Sequence, residues 1–331
     1  MGSIPAGRMA ALAIVMALSG SAIAQSAADK SVDSFPSRPV TFIVPLAPGG
    51  PNDIEARLYT VRLATLMGQP FLVDYKPGAS GTIGAGYVAR SAPDGYTLLL
   101  TGGSFTALRS LFKDLPFDTI RDFAPVSQMS TKHFVLAVSA SHPARTFADY
   151  LAYARANPGK INFATTGAGG SVHLGGAWLH NLTDTKVTFV HYKGTAPLSL
   201  DLVSGAVDVG ALGVQPALPL LKAGKIRALA MMGDARSNLV PGAPRIMDSV
   251  PGYRFESWIG LTAPGATPAG IVNKLNQAFV KVVRMPEVVS ALEAQASVPV
   301  GSTPAQFREL LATEIERWRK VVQDNGIKLE E

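Results

Sequence analysis

The chain has 331 residues, 47% of them hydrophobic, no cysteine and a formal charge of +6, enough for a large core and for two domains. The absence of cysteine excludes disulfides, thiolate metal sites, a cysteine nucleophile and a lipoprotein anchor. Lysines and arginines are scattered singly, so nucleic acid is not expected as a partner; the basic pI near 9.5 mildly favours anions.

Met1 to Ala24 reads as a secretory signal: one charge at Arg8, an apolar run from Met9 to Leu18, and Ala22-Ile23-Ala24 as an A-x-A site with cleavage after Ala24. Loss of Arg8 takes the charge from +6 to +5. The run falls well short of the roughly 20 residues that span a bilayer, and no later segment is long and apolar enough. The expectation is an exported protein, in the periplasm or outside the cell.

From Phe35 onward, β-rich runs alternate with helical periodicity. Val40 to Val44, Phe71 to Tyr75 and Tyr96 to Thr101 read as strands. Between them, Asp53 to Met67 carries apolar residues at Ile54, Leu58, Val61 and Leu66, and a shorter helix runs from Thr82 to Arg90. Gly68 and Pro70 stop the first helix, and Pro93-Asp94-Gly95 turns the chain after the second. Strand, helix, strand, helix, strand is the signature of a parallel sheet.

The pattern then restarts. Phe134 to Val138 is a strand, and Thr146 with Asp149 three residues on forms a capping-box start for a helix ending near Asn157-Pro158-Gly159. Ile161 to Thr165 is a strand, followed by a glycine-rich turn and a helix from Ser171 to Leu182. Val187 to His191, Val207 to Leu212 and Ile226 to Met231 complete the second set, and Phe255 to Thr262 is one more strand. Helices follow, the first and last entered through Thr267-Pro268 and Thr303-Pro304, with threonine as N-cap and proline at the first helical position. Arg317, Arg319 and Lys320 fall late in the last helix, where cations complement the dipole. Two α/β units are expected, joined by two crossings of the chain and no low-complexity linker.

Turns at the carboxyl ends of parallel strands line the ligand crevice, and the helices after them point their N-termini at it. Three turns fit: Ala47-Pro48-Gly49-Gly50, Gly78-Ala79-Ser80-Gly81, and Thr165-Thr166-Gly167-Ala168-Gly169-Gly170-Ser171. Their free amides make each an anion site, though a glycine-rich turn is also a common helix cap. The nucleotide motifs fail: Val172 stands where G-x-G-x-x-G needs its third glycine, and no P-loop exists. There is no H-E-x-x-H, and His173 and His180 are seven residues apart, so no metal is expected. Gly169 to His173 has histidine where a G-x-S-x-G elbow needs glycine, leaving Ser171 as an N-cap or ligand donor. His191-Tyr192-Lys193-Gly194 follows a strand and offers a binding tyrosine or a buried strand end.

Together "VPLAPGGPNDIEAR", "KPGASGTIGAGYVARSAPDGYTLLL", "TTGAGGSVHLGG", "HYKGTAPLSLDLVSGAVDV" and "ESWIGLTAPGATPAGIVNKLN" resemble the Bug/TctC family of extracytoplasmic solute receptors linked to tripartite tricarboxylate transporters. The resemblance implies a two-lobed α/β fold of the type II periplasmic-binding-protein kind, each lobe a mostly parallel sheet flanked by helices. Lobe 1 would comprise 35–131 plus 255–331 and lobe 2 132–254. A carboxylate-bearing ligand would lie in the cleft between them, with no cofactor, no catalysis, a monomeric receptor and a membrane permease as partner. Carried over by position, it places Ala47, Pro48, Gly49 and Asp53 in the first loop, Ser80 and Gly81 in the second, and Thr101 at the end of the third strand. From the other lobe it draws Thr166, Gly169, Ser171, Tyr192 and Asp208. Asp53 reads equally as a first-turn helix carboxylate. This chain departs from the family at Ala211, Leu212 and Gly213, where many members carry bulky polar residues, and at Ala79-Ser80. That suggests a roomier, less polar wall and an aromatic or otherwise larger carboxylate in preference to a small hydroxy-acid. The rival readings are a co-receptor presenting its ligand to a sensor kinase, and a secreted hydrolase using Ser171 or Ser80 with a histidine.

Overall fold

The computed structural model describes residues 32–233 and 239–327; the segment read from sequence as a secretory signal lies outside them. The strands are β1 (Val40–Val44), β2 (Phe71–Tyr75), β3 (Thr97–Gly102), β4 (Phe123–Lys132), β5 (Phe134–Ser139), β6 (Ile161–Thr165), β7 (Val187–His191), β8 (Val209–Gly213), β9 (Ile226–Met231), β10 (Ser257–Pro264) and β11 (Ser297–Pro299). They form a 6-stranded sheet ordered β11-β4-β10-β3-β1-β2 and a 5-stranded sheet ordered β7-β6-β8-β5-β9. In the first, β1, β2 and β3 are parallel and β10 runs against both β3 and β4. In the second, β6, β7 and β8 are parallel and β5 runs against β8 and β9. The strand that enters each sheet from the other is therefore an interior strand antiparallel to both of its neighbours, and both α/β units share this plan.

The two crossings lie side by side. The first passes from Lys132 to Phe134 and the second enters β10, where Ser257 pairs with Lys132 and Trp258 with Thr131. Gln128 Nε2 and Thr131 Oγ1 both donate to Glu256 Oε1 at 3.0 Å, tying one crossing to the other. β4 carries too many polar residues to be read as a strand from sequence, yet Ser127 and Ser130 are fully buried. Their hydroxyls are satisfied there: Ser127 donates to the Ser302 carbonyl (2.9 Å) and Ser130 to Glu55 (2.7 Å), as burial of a hydroxyl requires.

Helices flank both sheets: α1 (Pro51–Met67), α2 (Thr82–Ala89), α3 (Gly103–Leu111), α4 (Phe147–Ala156), α5 (Ser171–Leu182), α6 (Thr195–Ser204), α7 (Val214–Lys222), α8 (Ile246–Ser249), α9 (Ala269–Val283), α10 (Pro286–Glu293) and α11 (Pro304–Asp324). The apolar positions that mark α1 in the sequence are not its core face. Ala56, Tyr59 and Leu63 are fully buried, whereas Ile54 and Val61 are 49% and 61% exposed. α9 starts one residue later than expected, with Pro268 as its N-cap. The capping boxes of Thr146 with Asp149 and of Thr303 with Gln306 are both present.

α11 belongs to both units. Its first half packs Phe307 and Leu311 against Trp258 and Phe105, while Trp318, Val321 and Val322 sit in the core of the second sheet with Tyr253 and Phe255. Between these halves Glu314 is fully buried, accepting from Trp318 Nε1 (2.9 Å) and from Arg317, which also donates to the Arg254 carbonyl (2.9 Å). Burial pushes the Glu314 carboxyl up to about 7, against the opposing pull of Arg317 and Trp318. The cations expected near the end of this helix fall short of its last turn, because it runs on to Asp324; Arg317 and Arg319 pair with Glu314 and Glu316 instead.

Candidate functional site

The carboxyl ends of β1, β2, β3, β6, β7 and β8 open on one cleft, and the helices that follow them begin there. α1, α2 and α3 start from N-caps Gly50, Gly81 and Gly102; α5, α6 and α7 start from Gly170, Gly194 and Gly213. None of these helices has a side-chain cap among the described residues, so the first amides of each lack a partner inside the helix. The starts of α3 and α5 touch across the lobes: a β-carbon on Gly103 would come within 3.1 Å of Ser171 Cβ.

Two cavities occupy this cleft. One, of about 360 Å³, lies at the opposed starts of α3 and α5, bordered by Ser80, Ser104, Gly169, Ser171 and Trp258. The other, of about 820 Å³, lies at the starts of α1, α6 and α7, bordered by Gly49, Ile54, Thr195, Gln215, Pro216 and Gln295. Lys132, Phe134 and Thr166 border both and form the waist between them. Gly49 and Gly169 thus face a shared gap. A recess of about 40 Å³ opens beside the first cavity, where Ser80, Gly81 and Thr101 meet.

The turns before α1 and α5 are held from behind. Gly49, at φ +88°, donates its amide to Asp53 Oδ2 at 2.8 Å, and Asp53 Oδ1 accepts from Arg57 Nε (2.8 Å) and from the Tyr75 hydroxyl. Burial raises the Asp53 carboxyl, but the bonds from Tyr75, Gly49 and Arg57 together outweigh it and leave the pKa below the ordinary value. Gly169, at φ +69°, donates its amide to His173 Nδ1 at 3.0 Å. Burial, with His191 beside it, lowers the His173 pKa to about 4, so the ring is neutral and Nδ1 is an acceptor.

The residues expected from sequence divide into groups. Gly49, Ser80, Thr166, Gly169 and Ser171 border the two cavities, and Gly81 and Thr101 the recess. The Thr101 hydroxyl donates to the Gly260 carbonyl at 3.2 Å. Ala47 and Pro48 are exposed on the turn leading to Gly49. Asp53 is buried behind that turn with both oxygens engaged, so it shapes the loop. Tyr192 does not reach the cavities: its hydroxyl donates to Asp201 on α6 at 2.7 Å, and burial with that bond pushes its pKa up to about 12. Asp208 is also corrected. It precedes β8 at the amino end of that strand, opposite the cleft, and its Oδ2 accepts from the Asn162 amide at 2.7 Å. The wall expected from Ala211 and Leu212 is core, since both are buried, and of that run only Gly213 borders a cavity.

Sequence reasoning missed Lys132, the sole lysine or arginine among the described residues lining the two cavities. Its ammonium donates to Glu55 Oε1 (2.6 Å) and to Ser297 Oγ (3.2 Å), and Glu55 is fully buried. Its signal was its position two residues before the predicted strand at Phe134, where a chain changing sheets must pass the cleft. The turn after β3, Gly102-Gly103-Ser104, was also missed, although it is a third glycine pair ahead of a helix.

The family model described as "Tripartite tricarboxylate transporter family receptor" matches residues 56–327. The protein BugT of Bordetella pertussis is 34% identical over 311 residues, covering 93% of this chain and 95% of BugT. Among solved structures, R. palustris Rpa4515 with adipate is 34% identical with a TM-score of 0.78, covering 89% of this chain and 100% of that one. MatC (Rpa3494) from Rhodopseudomonas palustris with bound malate is 33% identical with a TM-score of 0.75, covering 87% and 100%.

Proposed function

The chain belongs to the tripartite tricarboxylate transporter receptor family, and from that premise we propose that it is a periplasmic receptor which captures a carboxylate-bearing solute in its cleft and presents the closed, loaded form to a membrane permease. The observation that carries this reading is the meeting of uncapped helix starts from both sheets at one cavity, with Gly103 against Ser171. A carboxylate there accepts hydrogen bonds from neutral amides backed by two helix dipoles. Each hydrogen bond to a charged group contributes roughly 1.5 to 3 kcal/mol. Three or four such bonds offset the cost of association and leave about 8 kcal/mol, or micromolar binding.

Because the guest contacts both lobes, its binding favours closure, the bending falling at the paired crossings beside Thr131 and Glu256. The bound acids of the two Rhodopseudomonas relatives, adipate and malate, support a carboxylate as guest. The larger cavity, with Phe134, Ile54, Val214 and Pro216 on its walls, supports an acid with a sizeable apolar body, aromatic or long-chain, over a small hydroxy-acid; this replaces the argument from Ala211 and Leu212. Against a hydrolase stands His173, whose Nδ1 is occupied by the Gly169 amide and whose ring packs on Phe189 and His191.

Calorimetric titration with benzoate, adipate, malate and citrate tests the reading, alongside native mass spectrometry of the freshly purified protein. Stoichiometric binding without turnover is expected, tighter for benzoate or adipate than for malate. Failure of every acid to bind sinks the receptor reading, and binding of malate or citrate alone sinks the apolar body.

A further inference from the structure

The loops on the two sides of the cleft share a device. In each, a glycine in the left-handed region stands two residues before a helix, a second glycine is the N-cap, and the third helical residue reaches back to the first glycine's amide. On one side these are Gly49, Gly50 and Asp53 (2.8 Å); on the other, Gly169, Gly170 and His173 (3.0 Å). The geometry resembles a capping box moved outward by one residue. It satisfies the amide of the first glycine and leaves the helix start without a side-chain cap.

We infer that His173 is the positioning residue of the second anion loop, the uncharged counterpart of Asp53, and that its Nδ1 sets the turn from which Ser171 and its neighbours meet a carboxylate. The inference rests on the receptor reading for its consequence in binding, and on geometry alone for the loop. The chemistry of the two acceptors differs in a way the surroundings explain. Asp53 is a carboxylate whose charge is met by Arg57 and Tyr75. His173 has instead the apolar ring of Phe189 at 4.6 Å and the His191 ring at 4.5 Å. Behind this loop a carboxylate would carry an uncompensated charge toward the anion, whereas a neutral imidazole nitrogen accepts the same bond without repelling it. The other end of the loop is tied as well, through Thr165 Oγ1 and His191 Nδ1 at 2.8 Å.

The test compares His173→Leu, which keeps bulk and loses the acceptor, with His173→Asn, whose side-chain oxygen lies near the place of Nδ1. Three readouts at neutral pH decide it: ring-nitrogen NMR of His173 in the wild type, amide hydrogen exchange at Gly169 without ligand, and calorimetric titration with adipate. The expected result is an unprotonated Nδ1, with Gly169 exchange about tenfold faster and adipate affinity about tenfold weaker in His173→Leu, as loss of one hydrogen bond implies, and substantial recovery of both in His173→Asn. A protonated Nδ1, or unchanged Gly169 protection in His173→Leu, overturns the inference. If His173→Leu does not fold, the wild-type ring spectrum still decides it. If the wild type binds no adipate, the exchange and ring-nitrogen arms decide it apart from the receptor reading.

Discussion

The helices that begin at the cleft are built differently at their first residues from two that begin away from it. α4 and α11 start on Thr146 and Thr303, whose hydroxyls accept from Asp149 and Gln306 amides and complete capping boxes. α1, α3, α5 and α7 start on glycines in extended or nearly extended backbone and α6 on Gly194 at φ +117°, all with no side-chain cap. A threonine or serine cap contributes about 1 kcal/mol over a residue that cannot cap. Against glycine the margin is a few tenths of a kcal/mol, which the protein takes at α4 and α11 and forgoes at the cleft; α9 and α10, which start on Pro268 and Met285, also lack a side-chain cap. The capped starts and the bare starts at the cleft thus form a division that substitutions can break or sharpen.

The change expected to break it most is Lys132→Met at the waist. It leaves the fully buried Glu55 without its ammonium, and should lower stability by about 3 kcal/mol or more while also altering acid affinity; urea denaturation and calorimetry read the two effects. Ser171→Trp fills the first cavity at a half-buried position, so binding of adipate should fall by about a hundredfold or more, roughly 2.7 kcal/mol, with the far-UV circular dichroism unchanged. Retained affinity would remove Ser171 from the site. Thr303→Ala sharpens the division from away from the cleft: a loss of about 1 kcal/mol in unfolding free energy with the adipate dissociation constant unmoved. The smallest effect belongs to Gly170→Ser. A β-carbon there meets nothing closer than the Gly167 carbonyl at 3.4 Å, so the hydroxyl can cap α5, adding a few tenths of a kcal/mol to stability and weakening adipate binding by competing for its donors. A gain in affinity would contradict the role given to the bare helix start.

Much of this was legible in the chain itself. The glycine turns after β1 and β6, the capping box at Thr146, the threonine N-cap at Thr303 and the restart of the strand and helix pattern are local signals, set by backbone conformation within a few residues. The misplacements have another origin. Asp208 and Tyr192 lie close in sequence to a strand of the second sheet, but their direction depends on which strand end meets the cleft and which face each side chain takes. Asp208 sits at the amino end, and the Tyr192 hydroxyl turns to Asp201. Lys132 could not be placed from composition, since a polar strand such as β4 declares itself only once Glu55 and Ser302 are present to satisfy its side chains. The apolar positions of α1 gave its helical period and not its orientation, because both faces of that helix are apolar.

α11 gives the molecule a mechanical property that its crossings alone would not. If the paired crossings act as the proposed hinge, this single rod still spans both lobes, seated by Phe307 and Leu311 at one end and by Trp318 and Val322 at the other. Any widening of the gap must therefore be absorbed as flexure or twist near Glu314, where the rod passes from one seat to the next. On the closure proposed above, the lobes would be coupled as by a torsion spring, whose stiffness would set how far the cleft gapes before a solute draws it shut.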